Sequence, residues 1–293
     1  MTRLLIAAAL VVAAAPAAAQ SNIANARIQE HPGADLAGTV RQLAGQTGPL
    51  WIGYAIDIQD PEWNACCYDG DHHGFCCGGC SLEGTRGVKQ TVAGTRAPET
   101  VQLEGTAQAI VLYRVENGQV GKIRAYSSGC RLDAGGLPVH WLTNVRAGDS
   151  VALLASFAER SNAEGTRKKS LLDSALMAIA AHRDPAAERS LVHLARDNAS
   201  SRVRGQAMFW LAQKAGSKAA GVITDIVEND PDTQIKVRAV FALSQLPPDE
   251  GVPKLIDVAR KNSNPKVRKQ AIFWLGQSKD PRALRFFEEI LRQ

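Results

Sequence analysis

The stretch Val203-Arg204-Gly205-Gln206-Ala207-Met208-Phe209-Trp210-Leu211-Ala212-Gln213 returns as Val267-Arg268-Lys269-Gln270-Ala271-Ile272-Phe273-Trp274-Leu275-Gly276-Gln277. A looser copy, Val237-Arg238-Ala239-Val240-Phe241-Ala242-Leu243-Ser244-Gln245, lies between them. Aligned on their Val-Arg pairs, the copies are 34 and 30 residues apart, a period that marks stacked helical repeats. Within one copy Val203, Ala207, Trp210 and Leu211 fall at i, i+4, i+7 and i+8, which is one apolar stripe on a helix. A two-helix unit cannot bury such a stripe alone and must lie against its neighbours. On this alignment Val237 is a core residue, and Trp210 and Trp274 are read as core as well.

Working outward, a degenerate unit occupies Arg167 to Ala181, ahead of Asp184-Pro185 and a helix from Ala186 to Arg196. The last unit has a matching Asp280-Pro281 before Arg282 to Leu291. An aspartate cap followed by proline in the first turn is a helix start. Asp149 is expected to cap a first helix on which Val151, Leu154 and Ala158 share a face. The count comes to about four and a half helix pairs, the outermost acting as caps.

These residues resemble HEAT repeats of the short bacterial kind, the phycobilisome-lyase HEAT-like repeats. The match is carried by Asn264-Pro265-x-Val267-Arg268-x-x-Ala271-x-x-x-Leu275-Gly276, and more loosely by Asp232 to Leu246. It covers about residues 151–293 and implies a right-handed α-solenoid. It also implies that Arg204, Arg238 and Arg268 join a polar ladder between repeats. No bilin-handling residues are identifiable, so the lyase activity is not implied. The whole arrangement is similar to exported bacterial HEAT-repeat proteins of uncharacterised function. These join a cysteine-bearing β region, with a segment like Cys130-x-Leu132-Asp133-Ala134-Gly135-Gly136, to the repeats.

The amino-terminal half changes period. Leu50, Ile52, Tyr54, Ile56 and Ile58 alternate along one face of a half-buried strand. Ala109 to Val115 and Val120 to Tyr126 flank Asn117-Gly118, a pair suited to a type I′ hairpin because both central residues need positive φ. With Glu116 opposite Gln119, Leu112 is expected to face Ile123 and Ile110 to face Ala125. Trp141 and Leu142 fall in a further strand. The expected organisation is α+β with two domains. Residues 1–19 form a signal peptide, 20–48 a weakly structured lead-in that is extended or holds a short helix, 49–148 a cysteine-containing antiparallel β domain, and 149–293 the solenoid.

The six cysteines are Cys66, Cys67, Cys76, Cys77, Cys80 and Cys130. An even number in an exported chain points to disulfides, in any of 15 connectivities. Placing Tyr68 to Phe75 as a loop between strands brings Cys67 near Cys76 and Cys66 near Cys77, leaving Cys80 and Cys130. The alternative is zinc, held by Cys77 and Cys80 at knuckle spacing with His72 and His73. A calcium loop starting at Asp69 fails, because its twelfth position is Cys80 where glutamate is needed.

Residues 1–19 carry Arg3, an apolar run from Leu4 to about Ala15, Pro16 and three alanines. That is a signal peptide with cleavage before Gln20, and the apolar run is shorter than the ~20 residues of a membrane span. The expected location is periplasmic or secreted, with no membrane span after cleavage. Residues 20–150 hold 10 basic and 13 acidic side chains, whereas 151–293 hold 23 and 16. The basic half would suit nucleic acid, but export leaves an acidic protein, an envelope polyanion or plain solvation as its readings. The reading is therefore a protein-interaction scaffold needing no cofactor, its surface drawn from Arg202, Lys236, Lys266 and Lys269. The competing reading is a metal-binding or enzymatic role for His72, His73, His140, Asp69, Asp71 and Asp133. Against it, no nucleophile elbow, HExxH, P-loop or Rossmann fingerprint appears.

Overall fold

The computed structural model describes residues 23–60, 63, 65, 80–83, 107–160 and 166–292, the side chains of 80 and 166–170 excepted. Its strands are β1 (Ile23–Ala24), β2 (Arg27–Pro32), β3 (Leu50–Asp57), β4 (Cys80–Ser81), β5 (Gln108–Glu116), β6 (Gln119–Ser127), β7 (Leu132–Asp133) and β8 (Pro138–Thr143). Helix α1 (Leu36–Ala44) lies between β2 and β3. After β8 come α2 (Ala147–Arg160), α3 (Thr166–Ala181), α4 (Pro185–Asp197), α5 (Ser201–Ala215), α6 (Ala220–Asn229), α7 (Thr233–Ser244), α8 (Pro248–Lys261), α9 (Pro265–Gln277) and α10 (Pro281–Leu291).

The β half holds a five-stranded sheet in the order β2-β8-β3-β5-β6 and a small sheet β1-β7-β4. The expected antiparallel sheet is instead mixed. β3, β5 and β6 run antiparallel, but β8 pairs parallel with both β2 and β3. The supposed lead-in is part of this domain, because β2 forms the sheet edge and α1 buries Leu36, Val40 and Leu43. Its pattern is faint because β2 is largely exposed. The alternation along β3 holds: Leu50, Ile52, Tyr54 and Ile56 join the main core with α1 and the helices. The opposite face is buried too, with Trp51, Ile110, Leu112, Val139 and Trp141 packed on Ile23, Leu82, Cys130 and Leu132. A strand covered on both faces has no polar alternation, which explains why β5 reads Ala-Ile-Val-Leu-Tyr.

The turn at Asn117-Gly118 has φ of 54° and 73°, the mirror-image geometry that Asn-Gly favours. The pairing beyond it differs from the simple register. Glu116 faces Gln119 and Val115 faces Val120, but a bulge then pairs Arg114 with Lys122 and skips Gly121. One extra residue shifts every later partner, so Tyr113 faces Ile123 and Val111 faces Ala125.

In the helical half α3, α5, α7 and α9 pack successively on one another, and α2 on α4 and α6 on α8 behind them. Structure corrects the repeat register. The buried third helical position is Val203 in α5, Ile235 in α7 and Val267 in α9, a spacing of 32 residues both times. Ala207, Ala239 and Ala271, then Leu211, Leu243 and Leu275, follow in step and are all buried. Val237 sits two places further on and is only partly buried. The Val-Arg match misleads because the middle repeat has Ile235-Lys236 where its neighbours have Val-Arg. Caps keep the same period: Asp232 accepts from the Gln234 amide and Asn264 from the Lys266 amide. Asp149 does not cap α2; it lies inside the first turn, its carboxylate on Arg146 Nε at 2.6 Å.

The two halves meet over a buried polar chain. His182 Nδ1 lies 2.7 Å from the Ala178 carbonyl and Nε2 2.8 Å from Ser150 Oγ, which is 2.7 Å from the Tyr54 hydroxyl. Tyr54 is 2.8 Å from the Tyr113 hydroxyl. A carbonyl can only accept, which fixes every donor. His182 donates from Nδ1, Ser150 donates to Nε2, Tyr54 donates to Ser150, and Tyr113 donates to Tyr54. Beside the chain, the Arg183 amide donates to the Asp57 carbonyl at 2.9 Å, so the end of β3 is bonded to the α3–α4 turn. Lys214 of α5 donates to the carbonyls of Ala180 and His182 and to Gln59 Oε1.

Burial, together with nearby Lys214, lowers the His182 pKa from 6.5 to about 4, against the opposing pull of the Ala178 carbonyl and Asp184. The unfolded chain takes up this proton near pH 6.5 and the folded chain refuses it until about 4. Stability from neutral His182 is therefore complete above 6.5 and lost as pH falls to 4, amounting to about 3 kcal/mol. Urea unfolding at pH 7 and pH 4.5 is expected to show most of this loss, and His182→Asn to flatten the profile. An equally steep profile in the variant would place the acid sensitivity elsewhere; His140 is the next group to test, because burial and His31 lower its pKa too.

Candidate functional site

The charge of the repeats is sorted by helix. α5, α7 and α9 carry Arg202, Arg204, Lys214, Lys236, Arg238, Lys266, Arg268 and Lys269 and no acidic residue. α4, α6, α8 and α10 carry nine acidic residues among their own arginines and lysines. On that second layer the charges are matched across repeats: Arg196 to Asp225 at 3.0 Å, Arg282 to Asp249 at 3.0 Å, and Arg260 to Glu289. The first layer has no such balance.

Four of its cations are used structurally. Arg204 donates to the carbonyls of Asn198 and Ala199, ending α4, and its Nε meets Asp230 of the next repeat at 3.2 Å. Arg268 does the same for Asn262 and Ser263 at the end of α8. The equivalent position in the middle repeat is Lys236, which donates to the Glu228 carbonyl. Lys214 is taken by the carbonyls already described. Arg238 is exposed and packs over Gly205, where a built Cβ would lie 2.6 Å from Arg238 Cδ. So Arg204 reaches the following repeat by an ion pair and Arg238 touches the preceding one by packing, whereas Arg268 bonds within its own.

Arg202, Lys266 and Lys269 point to a different use. Lys266 and Lys269 are exposed, and one Arg202 nitrogen, Nη2, is buried without a hydrogen-bond partner among the described residues. Arg202 and Lys266 each stand two helical turns before a phenylalanine, Phe209 and Phe273, and Lys269 one turn before Phe273.

Those phenylalanines belong to a row of rings crossing three helices. Trp210 meets Phe209 edge-on at 5.3 Å, Phe209 stacks on Phe241 at 6.0 Å, and Phe241 meets Trp274 at 5.0 Å. Phe273 adds an edge contact to Trp274 at 5.0 Å. Phe273 is 52% exposed, and Phe209, Trp210, Phe241 and Trp274 are partly exposed. The tryptophans thus flank the core rather than fill it, which corrects their reading from the helical stripe. At the start of the row lies a cavity of about 490 Å³ between the segment after β3 and helices α3 and α5. Trp63, Met177, Ala180 and Trp210 line it, with Asp60, Gln213 and Lys214 among its polar residues.

Other groups fall elsewhere. Cys66, Cys67, Cys76, Cys77, His72, His73, Asp69 and Asp71 lie outside the described residues. Cys80 is in β4, paired with Leu132, and Cys130 is buried in the second core. His140 pairs with His31, Nδ1 to Nε2 at 2.8 Å, and Asp133 holds a turn by accepting from Asn25 and the Gly135 amide. The Ser150–His182 pair has triad-like atoms but both residues are fully buried, and His182 is oriented by a carbonyl rather than a carboxylate. No substrate can reach it.

Helix pairs piled in chain order and stapled by capping arginines define a helical-repeat protein. Residues 221–293 match the model of HEAT repeats, so the carboxy-terminal region carries repeats of that family. No curated protein matches the chain in sequence. Among solved structures it is similar to a chain in the complex of CpcE and CpcF of phycocyanin lyase from Nostoc sp. PCC7120, at 17% identity and a TM-score of 0.38. The alignment covers 49% of this chain and 91% of that one.

Proposed function

We propose that this chain is an exported protein-interaction scaffold. Its solenoid face of α5, α7 and α9 is the docking surface, and a disulfide-stabilised β domain is the mount. The observation that carries this is the row of partly exposed rings beside unmatched cations. Aromatic and arginine side chains are the types that supply most interface energy, and stacked repeats provide the extended surface that recognition uses. The ladder role of Arg204, with Arg238 packed across the repeat boundary, supports a rigid array.

Export rests on the pattern of residues 1–19, and processing is tested by finding Gln20 at the amino terminus of the mature protein. Disulfides are supported by the even cysteine count and by Cys130, which is 3% exposed in the second core. Thiol counting on protein from an oxidising compartment is expected to find no free cysteine; stoichiometric zinc with free thiols would replace this part of the reading.

The test of the scaffold is capture from envelope extract on the immobilised full chain, beside Phe273→Ala. Phe273 is exposed enough for the fold to survive. Wild type is expected to retain one or a few proteins specifically, and the variant to retain roughly tenfold less, the loss of one aromatic anchor. Equal retention by both chains would remove the α5–α7–α9 face as the docking surface.

A further inference from the structure

We infer that the partner presents an acidic, extended polypeptide segment to this face, anchored by an aromatic side chain in the cavity between Trp63 and Trp210. The inference rests on the scaffold reading and adds the chemistry of what is bound.

Charge complementarity is the first ground. Helices α5, α7 and α9 have no acidic residue, and Arg202, Arg238, Lys266 and Lys269 are paired with no carboxylate among the described residues. Such a surface has donors in excess, and carboxylates are acceptors only. The layer of α4, α6, α8 and α10 has nine acidic residues against seven lysines and arginines, and only three of the acids are paired across repeats, so it disfavours the same segment. One chemistry is thereby selected for one face.

Shape is the second ground. The ring row starts at a cavity of about 490 Å³, whose Trp63, Met177 and Trp210 offer an apolar lining of the size that holds a small ligand or one large side chain. From there it crosses α5, α7 and α9, whose axes lie about 8–10 Å apart. At about 3.3 Å per residue, roughly seven to nine extended residues span it from the cavity beside α3 to α9. Lys214 is already bonded to three oxygens and Gln213 is exposed at the rim. Acidic residues of the segment are therefore directed along the helices, toward Arg238, Lys269 and Lys266.

A nucleic acid fits less well. Single strands bind by laying bases on open ring faces. Here Phe209 and Phe241 lie parallel, 2° apart, and turn ring faces to each other, while Trp210 and Phe273 are engaged edge-on. The rings offer edges and flanks suited to apolar side chains.

The experiment titrates the full mature chain, by tryptophan fluorescence and calorimetry, with a peptide of about ten residues. It alternates glutamate with apolar residues and carries one phenylalanine near an end. Comparison probes are the same peptide with lysine for glutamate, the same with glutamine, and an oligothymidylate. The glutamate peptide is expected to bind at micromolar Kd and weaken about tenfold between low and high salt. Lys266→Glu with Lys269→Glu is expected to abolish the salt dependence and most of the affinity, with far-ultraviolet dichroism unchanged. Gln213→Trp, which fills the cavity mouth without removing a core group, is expected to weaken only peptides that carry phenylalanine. Equal binding of the glutamine or lysine peptide, tighter binding of the oligothymidylate, or binding indifferent to both variants overturns the inference, as does no binding at all. A neutral or basic protein captured from envelope extract in a Phe273-dependent way would overturn it too while leaving the scaffold standing.

Discussion

Ile235→Asp is expected to unfold the repeats, costing about 4–5 kcal/mol, whereas Val237→Asp two residues on is expected to cost less than about 1 kcal/mol. Ile235 is fully buried in the first turn of α7, a helix with α5 and α9 on either side. A carboxylate there has no partner and either stays charged in an apolar surround or takes up a proton at a similar cost. Val237 is only partly buried, so its carboxylate can keep much of its water. Urea unfolding followed by helical dichroism measures both. Equal losses would mean that α7 is rotated about its axis, turning Ile235 off the core and moving Lys236, Arg238 and Phe241 with it. The Ile235 substitution should also broaden the transition, because repeats on either side of the break lose a neighbour and cooperativity depends on shared interfaces.

Ser150→Ala is expected to destabilise the joint between the halves by about 2–4 kcal/mol, although it removes one oxygen atom. That oxygen both donates to His182 Nε2 and accepts from Tyr54, and both partners are fully buried. Deleting it strands a donor and an acceptor, each at about 1–3 kcal/mol, more than the net value of a hydrogen bond that is formed. The direction of the chain gives a sharper test. Tyr113 is its terminal donor, so Tyr113→Phe leaves Tyr54 still donating to Ser150 and is expected to cost only about 1 kcal/mol. Matched urea curves for the two variants decide it. If Tyr113→Phe proved the more damaging, the proton order from Tyr113 to the Ala178 carbonyl would be wrong. Burial already pushes the Tyr54 hydroxyl up to about 12, so neither tyrosine ionises in a range that would confuse the comparison.

The helical half was legible because its signal is local and repeated. Asp184, Asp280 and Asn264 cap helices beside prolines, as the dipeptides foretell. The repeat was visible in Val203–Gln213 and Val267–Gln277 but its middle copy was misaligned by two residues. Letter identity weighed Val237-Arg238 above the substitution of Ile235-Lys236, which packing treats as equivalent. The capping residues Asn198, Asp230 and Asn262 keep the 32-residue period and would have set the register. The hairpin was legible at its turn and illegible one pair beyond it, since a bulge at Gly121 leaves no mark except the glycine.

The candidate surface was half visible. Lys266, Lys269 and Arg202 were singled out by charge, and Lys236 with them, although Lys236 closes a helix end. The aromatic row was missed because Trp210 and Trp274 share a stripe with residues that are buried. A helical wheel gives an angle and not a depth. Separating the charges of the alternate helices, which needs only helix boundaries, would have pointed to the same face.

By itself the sequence determined what each short stretch becomes: amphipathic helices with aspartate or asparagine caps, an Asn-Gly hairpin, an alternating strand, and pairs of helices that must be stacked. Those outcomes depend on neighbours within a few residues and on period. Tertiary structure alone decided that β8 inserts between β2 and β3, that Ser150, His182 and the two tyrosines meet, and that the rings of α5, α7 and α9 join in one partly exposed row. Each of these joins residues tens of positions apart, and their cost or gain is set by burial, which no local window of sequence contains.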